Sequence, residues 1–380
     1  MESTSERKFR RIRKKFLKED EKKSHWRFGI PIIIIMLLVP FMVGDYFLGV
    51  IIGLLFLSIV CVGYNLLMGY CGQISFGQTA FVGIGAYAAA YAANIWGWPF
   101  AMALIFAGLA AALIGLLVAI PSLRLGHLYL AVATMGFAFI VEEAVDQLES
   151  ITGGAGGVSV VPAKLFGYSF ETDVSFYYLT LFFAVLLVVL AKNIAHSAIG
   201  RSFIAVRDSE EAAEANGISL TRTKVLAFAV STFYAGIAGG LSAFYLRFIS
   251  PENFTFAHSI EYVVMVIVGG MASIYGAVIG AFIIGYLPHF TVFLKDTVPP
   301  FLKSVVPFFP GVAGSAENIL GNPDFRLLLY GAIMLFFMVY EPSGVYGIWL
   351  RFKNYWKTFP FNRKKVKFKG RRTLLYRSYR

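Results

Sequence analysis

The sequence predicts an all-α, polytopic integral membrane protein with about ten transmembrane helices and broken or re-entrant segments. Two observations predict this fold. Hydrophobic residues make up 58% of the 380-residue chain and its mean hydropathy is +0.69, whereas soluble domains are about 45–50% apolar. Several apolar runs are also long enough to cross a bilayer, which takes about 20 residues.

The apolar runs, taken in order, predict ten crossings, although several runs are short and some contain proline. An even number of crossings places both chain ends on one side of the membrane. Residues 195–224 then lie in the cytosol, and residues 149–173 lie outside. The ten runs are Gly29–Val43, Tyr46–Met68, Thr79–Asn94, Phe100–Ile120, His127–Leu148, Val174–Ala191, Val225–Leu246, His258–Val268, Ile274–Leu287 and Phe325–Tyr340.

Basic tails set the predicted orientation. Residues 1–28 hold 11 Lys/Arg and 5 acidic residues, and residues 351–380 hold 12 Lys/Arg and no acidic residue. Such tails could bind nucleic acid through phosphates, but beside membrane spans they are better explained by the cytosolic bias of basic residues. We therefore predict a basic cytosolic N-terminal tail (1–28), a transmembrane domain (29–350) and a basic cytosolic C-terminal tail (351–380), with no nucleic-acid partner.

The longest charged interruption between spans is Ala195–Lys224, and its centre predicts a short helix. Asp208 can cap the helix, and Glu211 can reach back to the Asp208 amide in a capping box. Alanines then favour the helix, and Gly217 can take the left-handed conformation that ends it. The expected helix has about two turns, so it needs a partner surface to hold it.

This interruption resembles the cytoplasmic coupling loop of ABC importer permeases, in which an E-A-A…G pattern docks into a groove on the ATPase subunit. Flanking motifs resemble the LivM-type permeases of branched-chain amino acid importers, a resemblance that runs from about residue 65 to residue 288. A mere surface helix is the alternative. The flanking motifs are Gly69–Gly77, Gly83–Tyr87, Thr152–Gly154, Phe248–Glu252 and Val268–Ala277.

The resemblance implies a permease subunit that translocates Leu, Ile or Val across the cytoplasmic (inner) membrane. It implies a second permease of the LivH type, two cytosolic ATPases and an extracytoplasmic substrate-binding protein as partners. The residues that it assigns to ATPase coupling are Arg207, Asp208, Glu210, Glu211, Glu214, Asn216 and Gly217. Urea or a short amide is the alternative substrate, and an ion-coupled secondary transporter or a membrane scaffold is the alternative class.

Two glycine-rich breaks, Gly72–Gly77 and Gly270–Gly276, sit between apolar segments. Paired broken helices mark binding regions in many transporters, although glycines also serve close helix packing. Neutral polar groups at a helix restart, with free amides, suit the carboxylate and ammonium of an amino acid. Hydrogen bonding between helices is the alternative reading. The candidate substrate-pathway residues are Gly72, Gln73, Ser75, Gly77, Gln78 and Thr79.

No cluster of residues predicts catalysis. The five histidines are scattered, and Cys61 and Cys71 lie in or beside apolar sequence, so we expect neither a metal site nor a disulfide framework. The phosphate-binding pattern G-x-x-x-x-G-K does not occur in the sequence. We therefore expect a transport subunit that is not an enzyme and has no cofactor, with ATP bound by partner subunits.

The orientation is testable by cysteine labelling of intact cells. We expect cysteines placed at residues 10 and 370 to resist a membrane-impermeant maleimide, because the basic tails hold both positions in the cytosol. A cysteine within residues 149–173 should react. Reaction at residue 10 or 370 from outside would contradict the ten-span topology.

Overall fold

The computed structural model describes residues 35–122, 127–165, 167–293, 295, 297, 323–341 and 343–358. Most of the two predicted tails lies outside these residues. The last described helix, Gly344–Thr358, runs across the domain boundary that we predict at residue 350.

Helices make up most of the described chain, as predicted for an all-α membrane protein. Residues 35–42 and 287–293 are also helical, and a π-helical turn, Leu66–Tyr70, extends the first long helix. The other helices are α1 (Asp45–Asn65), α2 (Gln78–Asn94), α3 (Phe100–Ser122), α4 (His127–Gln147), α5 (Glu149–Thr152), α6 (Asp173–His196), α7 (Ala198–Asp208), α8 (Glu210–Ala215), α9 (Leu220–Leu246), α10 (Phe256–Gly269), α11 (Ile274–Gly285), α12 (Pro323–Tyr340) and α13 (Gly344–Thr358).

Five described helices are long and apolar enough to cross a membrane, or up to six if the bent pair α12 and α13 forms one span. α10, with 14 residues, is too short to cross a bilayer alone. The predicted count of ten crossings stays a prediction, since residues 29–34 lie outside the described part. The five helices are Asp45–Tyr70, Phe100–Ile120, Asp173–His196, Leu220–Leu246 and Ile274–Phe293.

Both predicted breaks interrupt helices. An irregular, non-helical stretch, residues 71–77, separates the π-helical turn from α2. Residues 270–273 separate α10 from α11, so Gly276, which we had placed in the second break, lies inside α11. The two breaks are called the first break (71–77) and the second break (270–273) below.

The centre of the bundle is α9, which packs against α1, α2 and α3. Small residues bring the backbones into contact. A Cβ added at Gly239 would overlap the carbonyl oxygen of Val82, and a Cβ added at Gly85 would overlap the backbone of Gly236. Glycine at these sites lets van der Waals contact hold helices together where lipid supplies no hydrophobic driving force between them.

The two faces of α3 differ as expected for a helix between protein and lipid. Its buried face carries small side chains, including Ala103, Ala107 and Ala111. Its exposed side chains are large and apolar, and they recur at helical spacing along one stripe. They are Met102, Ile105, Leu109, Leu113, Leu117 and Ile120. This stripe suits acyl chains, in agreement with a multi-pass membrane protein.

Short loops close the end of the bundle where α9 finishes. Strand β1 (Val158–Ser159) pairs antiparallel with β2 (Phe248–Ile249), which follows α9 directly. A separate hairpin pairs residues 164–165 with residues 168–169. Asn94 lies at the end of α2. Its side-chain Nδ2 donates to the Ser159 carbonyl at 2.6 Å, and its Oδ1 accepts from the Val161 N–H at 3.1 Å.

Packing at Gly239 can be tested against a glycine with open surroundings. We expect Gly239→Leu to lower the melting temperature of the purified protein strongly, because overpacking a tight contact costs about 1–3 kcal/mol or more. Gly53→Leu on α1 is the matched control, since a Cβ there meets nothing within 4 Å. Equal melting temperatures for the two variants in detergent would contradict the close contact of α2 and α9.

Candidate functional site

The charged interruption folds into two consecutive short helices, α7 and α8, which we call the connector (residues 198–217). Ser197 begins it, since its hydroxyl accepts from the amides of Ile199 at 3.1 Å and Gly200 at 3.4 Å. Phe203 and Val206 of α7 are buried. The sequence predicts only the second of these helices, so α7 is an addition to the predicted segment.

Ser209 separates the two helices and caps α8. Its hydroxyl accepts from the Ala212 amide at 3.2 Å, while Asp208 is the last residue of α7. The prediction that Asp208 caps the helix is therefore wrong by one residue. Glu211 also does not reach the Asp208 amide; its carboxylate accepts instead from the Ser209 hydroxyl at 2.9 Å. Adjacent Asp and Ser have nearly equal capping preference, so sequence does not separate them.

Gly217 ends α8 in the predicted left-handed conformation, with φ of 79°. The Ile218 amide donates to the Ala213 carbonyl at 3.0 Å, and the Gly217 amide donates to the Glu214 carbonyl at 2.8 Å. This pair of bonds is the Schellman arrangement, which satisfies carbonyls that the helix end leaves open. The six-residue helix is thus fixed at both ends.

Arg207 joins the connector to the π-helical turn and to the first break that follows it. Its guanidinium donates to the Gly69 carbonyl at 2.8 Å and pairs with Asp208 at 3.0 Å. Its aliphatic stem lies against Gly72, where a Cβ would come within 2.8 Å of the Arg207 Cγ. A residue predicted for coupling therefore touches a residue predicted for the substrate pathway.

Lys224 joins the connector to α9. Its ammonium lies 2.7 Å from a Glu210 carboxylate oxygen, and the Lys224 side chain is only 11% exposed. The Glu210 side chain is 27% exposed, so removing it would leave a largely buried ammonium without its partner, which is destabilising. Glu210 is thus a structural anchor of α8 as well as a predicted coupling residue.

The remaining predicted coupling residues form an exposed face on the connector. Asp208, Glu211 and Glu214 present carboxylates there, with Asn216 and Gly217 beside them. Hydrogen bonds from the backbone and then from the Ser209 hydroxyl hold the pKa of Glu211 below its usual range. The face is therefore anionic at neutral pH, and the structure brings the whole predicted coupling set together.

At the helix restart, the predicted free amides are taken by the protein itself. The Ser75 amide donates to the Tyr64 hydroxyl at 3.3 Å, and the Phe76 amide donates to the Thr134 hydroxyl at 3.0 Å. The Thr79 amide donates to the Ser259 hydroxyl at 3.1 Å. The expectation that these donors await an anionic group is wrong, because hydroxyls from three other helices already satisfy them.

Among the predicted pathway residues, Gln73, Ser75, Gln78 and Thr79 are all buried. Gln78 bonds to the backbone and hydroxyl oxygens of Ser231 on α9, both at 3.3 Å. This contact favours the alternative of hydrogen bonding between helices. Gln73 differs, since its Oε1 is buried without a hydrogen-bond partner among the described residues. A role of these residues in transport stays a prediction.

An open groove of about 650 Å³ lies elsewhere, along α4. Glu142 there accepts from the Phe256 amide at the start of α10, at 3.3 Å, and Glu143 accepts from Gln147 at 3.0 Å. None of the predicted pathway residues lines this groove. Its lining residues are Phe139, Ile140, Glu142, Glu143, Ala144 and Gln147.

Sequence reasoning missed the residues that tie these parts together. Asn65 is fully buried and bonds to the second break, donating to the Ser273 carbonyl at 2.8 Å and accepting from the Ala272 amide at 3.0 Å. The sequence does not distinguish Lys224, which pairs with Glu210, from the other basic residues of the charged interruption. A polar residue inside an apolar run is the signal that could have found Asn65, because such residues carry a role by default in membranes.

Comparison with known proteins gives consistent matches. Residues 46–338 match the family model described as the permease component of branched-chain amino acid transport systems. The high-affinity branched-chain amino acid transport system permease proteins LivM of Salmonella typhimurium and Escherichia coli are 30% identical over 84% of this chain and 74% of their own. The probable LivM of Methanocaldococcus jannaschii is 23% identical over 64% of this chain and 67% of its own. No solved structure matches the chain significantly.

The packing at the restart can be tested with two glutamines. We expect Gln78→Ala to destabilise the protein by about 1–3 kcal/mol, because it leaves buried Ser231 groups with fewer partners. Gln73→Ala should cost less, since the Gln73 Oε1 has no partner to lose. Thermal unfolding in detergent compares the two. A larger loss for Gln73→Ala would contradict the hydrogen-bond pattern.

Proposed function

Because the chain belongs to the permease components of branched-chain amino acid transport systems, we propose that it is the membrane-spanning permease of an ABC importer for leucine, isoleucine and valine. The observation that carries the proposal is the family match over residues 46–338, which includes the connector and both breaks. The relatives from Salmonella typhimurium and Escherichia coli bear the same activity in their names.

The proposed transporter has several subunits. A second permease completes the pathway, two cytosolic ATPases bind and hydrolyse ATP, and an extracytoplasmic protein delivers substrate. The relatives' names, which speak of a transport system, support this arrangement. In it the chain makes and breaks no covalent bond. It provides the moving pathway in the cytoplasmic membrane, with both tails in the cytosol.

The connector is the proposed contact with an ATPase. Its exposed face offers three carboxylates, while its buried face and its ion pair hold it to the bundle. α7 follows α6 with only Ser197 between them, and α9 begins three residues after Gly217. Movement imposed on the connector therefore passes directly to two long helices. That mechanical continuity is what a coupling element requires.

Gln73 is the proposed substrate contact among the residues of the first break. Its buried Oε1 has no partner among the described residues, and a carbonyl oxygen can accept from the ammonium of an amino acid. Gly72 and Gly77, which have no side chains, would leave room for substrate beside it. Because Gln73 is buried, substrate would reach it only when the first break moves.

Reconstituted uptake tests the function. The chain is co-expressed with its ATPases and second permease, placed in liposomes and supplied with loaded binding protein. We expect uptake of labelled leucine that requires ATP and that unlabelled isoleucine and valine inhibit. Inhibition by urea but not by valine would make a short amide the substrate. Uptake driven by an ion gradient without ATPases would overturn the importer assignment.

Coupling through the connector is tested by proline substitution at two glycines whose backbone is left-handed, Gly217 and Gly97. We expect Gly217→Pro to abolish most of the ATPase stimulation by loaded binding protein, because proline fixes φ near −65° and cannot form the left-handed cap. Gly97→Pro is the control. Gly97 has φ of 64°, with open space around its Cβ position, but lies between α2 and α3. Full stimulation in the assembled Gly217→Pro complex would reduce the connector to a simple linker.

A further inference from the structure

Asn65 joins the end of α1 to the second break, at the end of the bundle that carries the connector. Its side-chain Oδ1 accepts from the Ala272 N–H, and its Nδ2 donates to the Ser273 carbonyl. One side chain thus makes two hydrogen bonds that a neighbouring backbone would make in a regular helix. Asn65 also ends α1 where the π-helical turn begins. Such π-turns are frequently found at functional sites.

The second break is held in an unusual backbone conformation at this contact. Ala272 has φ of 59°, and it is one of two non-glycine residues with positive φ in the described chain. L-residues rarely adopt this region, and the surrounding structure must hold them there. The Asn65 oxygen accepts directly from the Ala272 amide, so the asparagine fixes the strained residue.

The π-helical turn that leads into the first break meets the same junction. A Cβ at Gly69 of this turn would overlap the Asn65 Oδ1 and the Ala272 nitrogen, so the turn touches the second break. The Gly69 carbonyl in turn accepts from Arg207 of the connector. Contacts therefore run without a gap from the connector through Gly69 and Asn65 to the second break.

We propose that Asn65 is a latch that holds the π-helical turn before the first break against the second break in the resting transporter, and that Arg207 pulls on this latch when the ATPases move the connector. The proposal rests on the function proposed above. The latch consists of two hydrogen bonds beside a strained residue. The α2–α9 interface, by contrast, is closed by backbone contacts along two helices, so the junction is the weaker place.

Cys71 lies two residues after Gly69 in the chain, so its reactivity can report on opening at the junction without any added label site. It follows the π-helical turn within the first break and is fully buried. Cys61, the other free cysteine, is also buried, deeper along α1, with its thiol 3.4 Å from the Met265 sulfur. Maleimide modification of Cys71, quantified by peptide mass spectrometry, therefore measures opening of the junction, and Cys61 supplies the background.

The first test uses the unaltered complex in liposomes. We expect modification of Cys71 to be slow without nucleotide and to rise severalfold when ATP with vanadate traps the ATPases, while Cys61 stays unmodified. Equal modification of Cys71 in both states overturns the latch, even if leucine uptake is normal. Loss of ATP-dependent uptake in the same preparation would instead refute the proposed function.

The second test compares two asparagines with the same bonding. Asn65→Asp keeps an acceptor for Ala272 but replaces the donor to Ser273 with a negative charge. We expect roughly tenfold faster modification of Cys71 without nucleotide, about the effect of one lost hydrogen bond, with higher basal ATPase activity. Asn94→Asp makes the same change where Asn94 bonds Ser159 and Val161, and it should leave Cys71 unchanged.

Arg207→Gln completes the set. We expect its complex to assemble and to keep Cys71 protected, but to lose the rise in modification on vanadate trapping, because the connector no longer holds the Gly69 carbonyl by charge. A rise equal to that of the unaltered complex would remove Arg207 from the linkage. Equal effects of Asn65→Asp and Asn94→Asp would show general loosening and overturn the latch.

Discussion

The constraint on which this structure depends is the absence of water in the bilayer core, where each unpaired backbone group is costly. A helix satisfies its own backbone, but a break does not. At the first break the protein supplies hydroxyls from Tyr64, Thr134 and Ser259 to backbone amides. At the second it supplies the Asn65 side chain. Both breaks thus lie where other parts of the bundle contribute polar side chains.

These side chains make the breaks into junctions between helices. Satisfying the first break draws α1, α4 and α10 together around the start of α2, and Asn65 joins α1 to the start of α11. The connector enters the same network through Arg207 and Gly69. The contacts that satisfy the polar backbone groups of the breaks are therefore the same contacts that link the helices to one another. The close glycine contacts of α9 hold α2 and α3 against it beside these junctions.

Local chemistry was readable from the sequence, and long-range pairing was not. Glycines and polar residues inside apolar runs marked both breaks, and Gly217 marked the end of α8, because glycine most readily takes the left-handed turn. The hydroxyl partners could not be predicted from the sequence, since Thr134 lies 58 residues and Ser259 lies 180 residues along the chain from the amides that they bond. α9 also begins earlier than its apolar run, at Leu220, and its Lys224 pairs with Glu210.

The two fixed ends of α8 have a consequence for association. A free segment of six residues would lose much conformational entropy on ordering, since helices shorter than about 12 residues are marginal in water. Here the Ser209 cap and the Gly217 turn have already ordered the backbone. A partner that meets this face spends little of its contact energy on ordering it. A small interface on this face can therefore form and separate without refolding the connector.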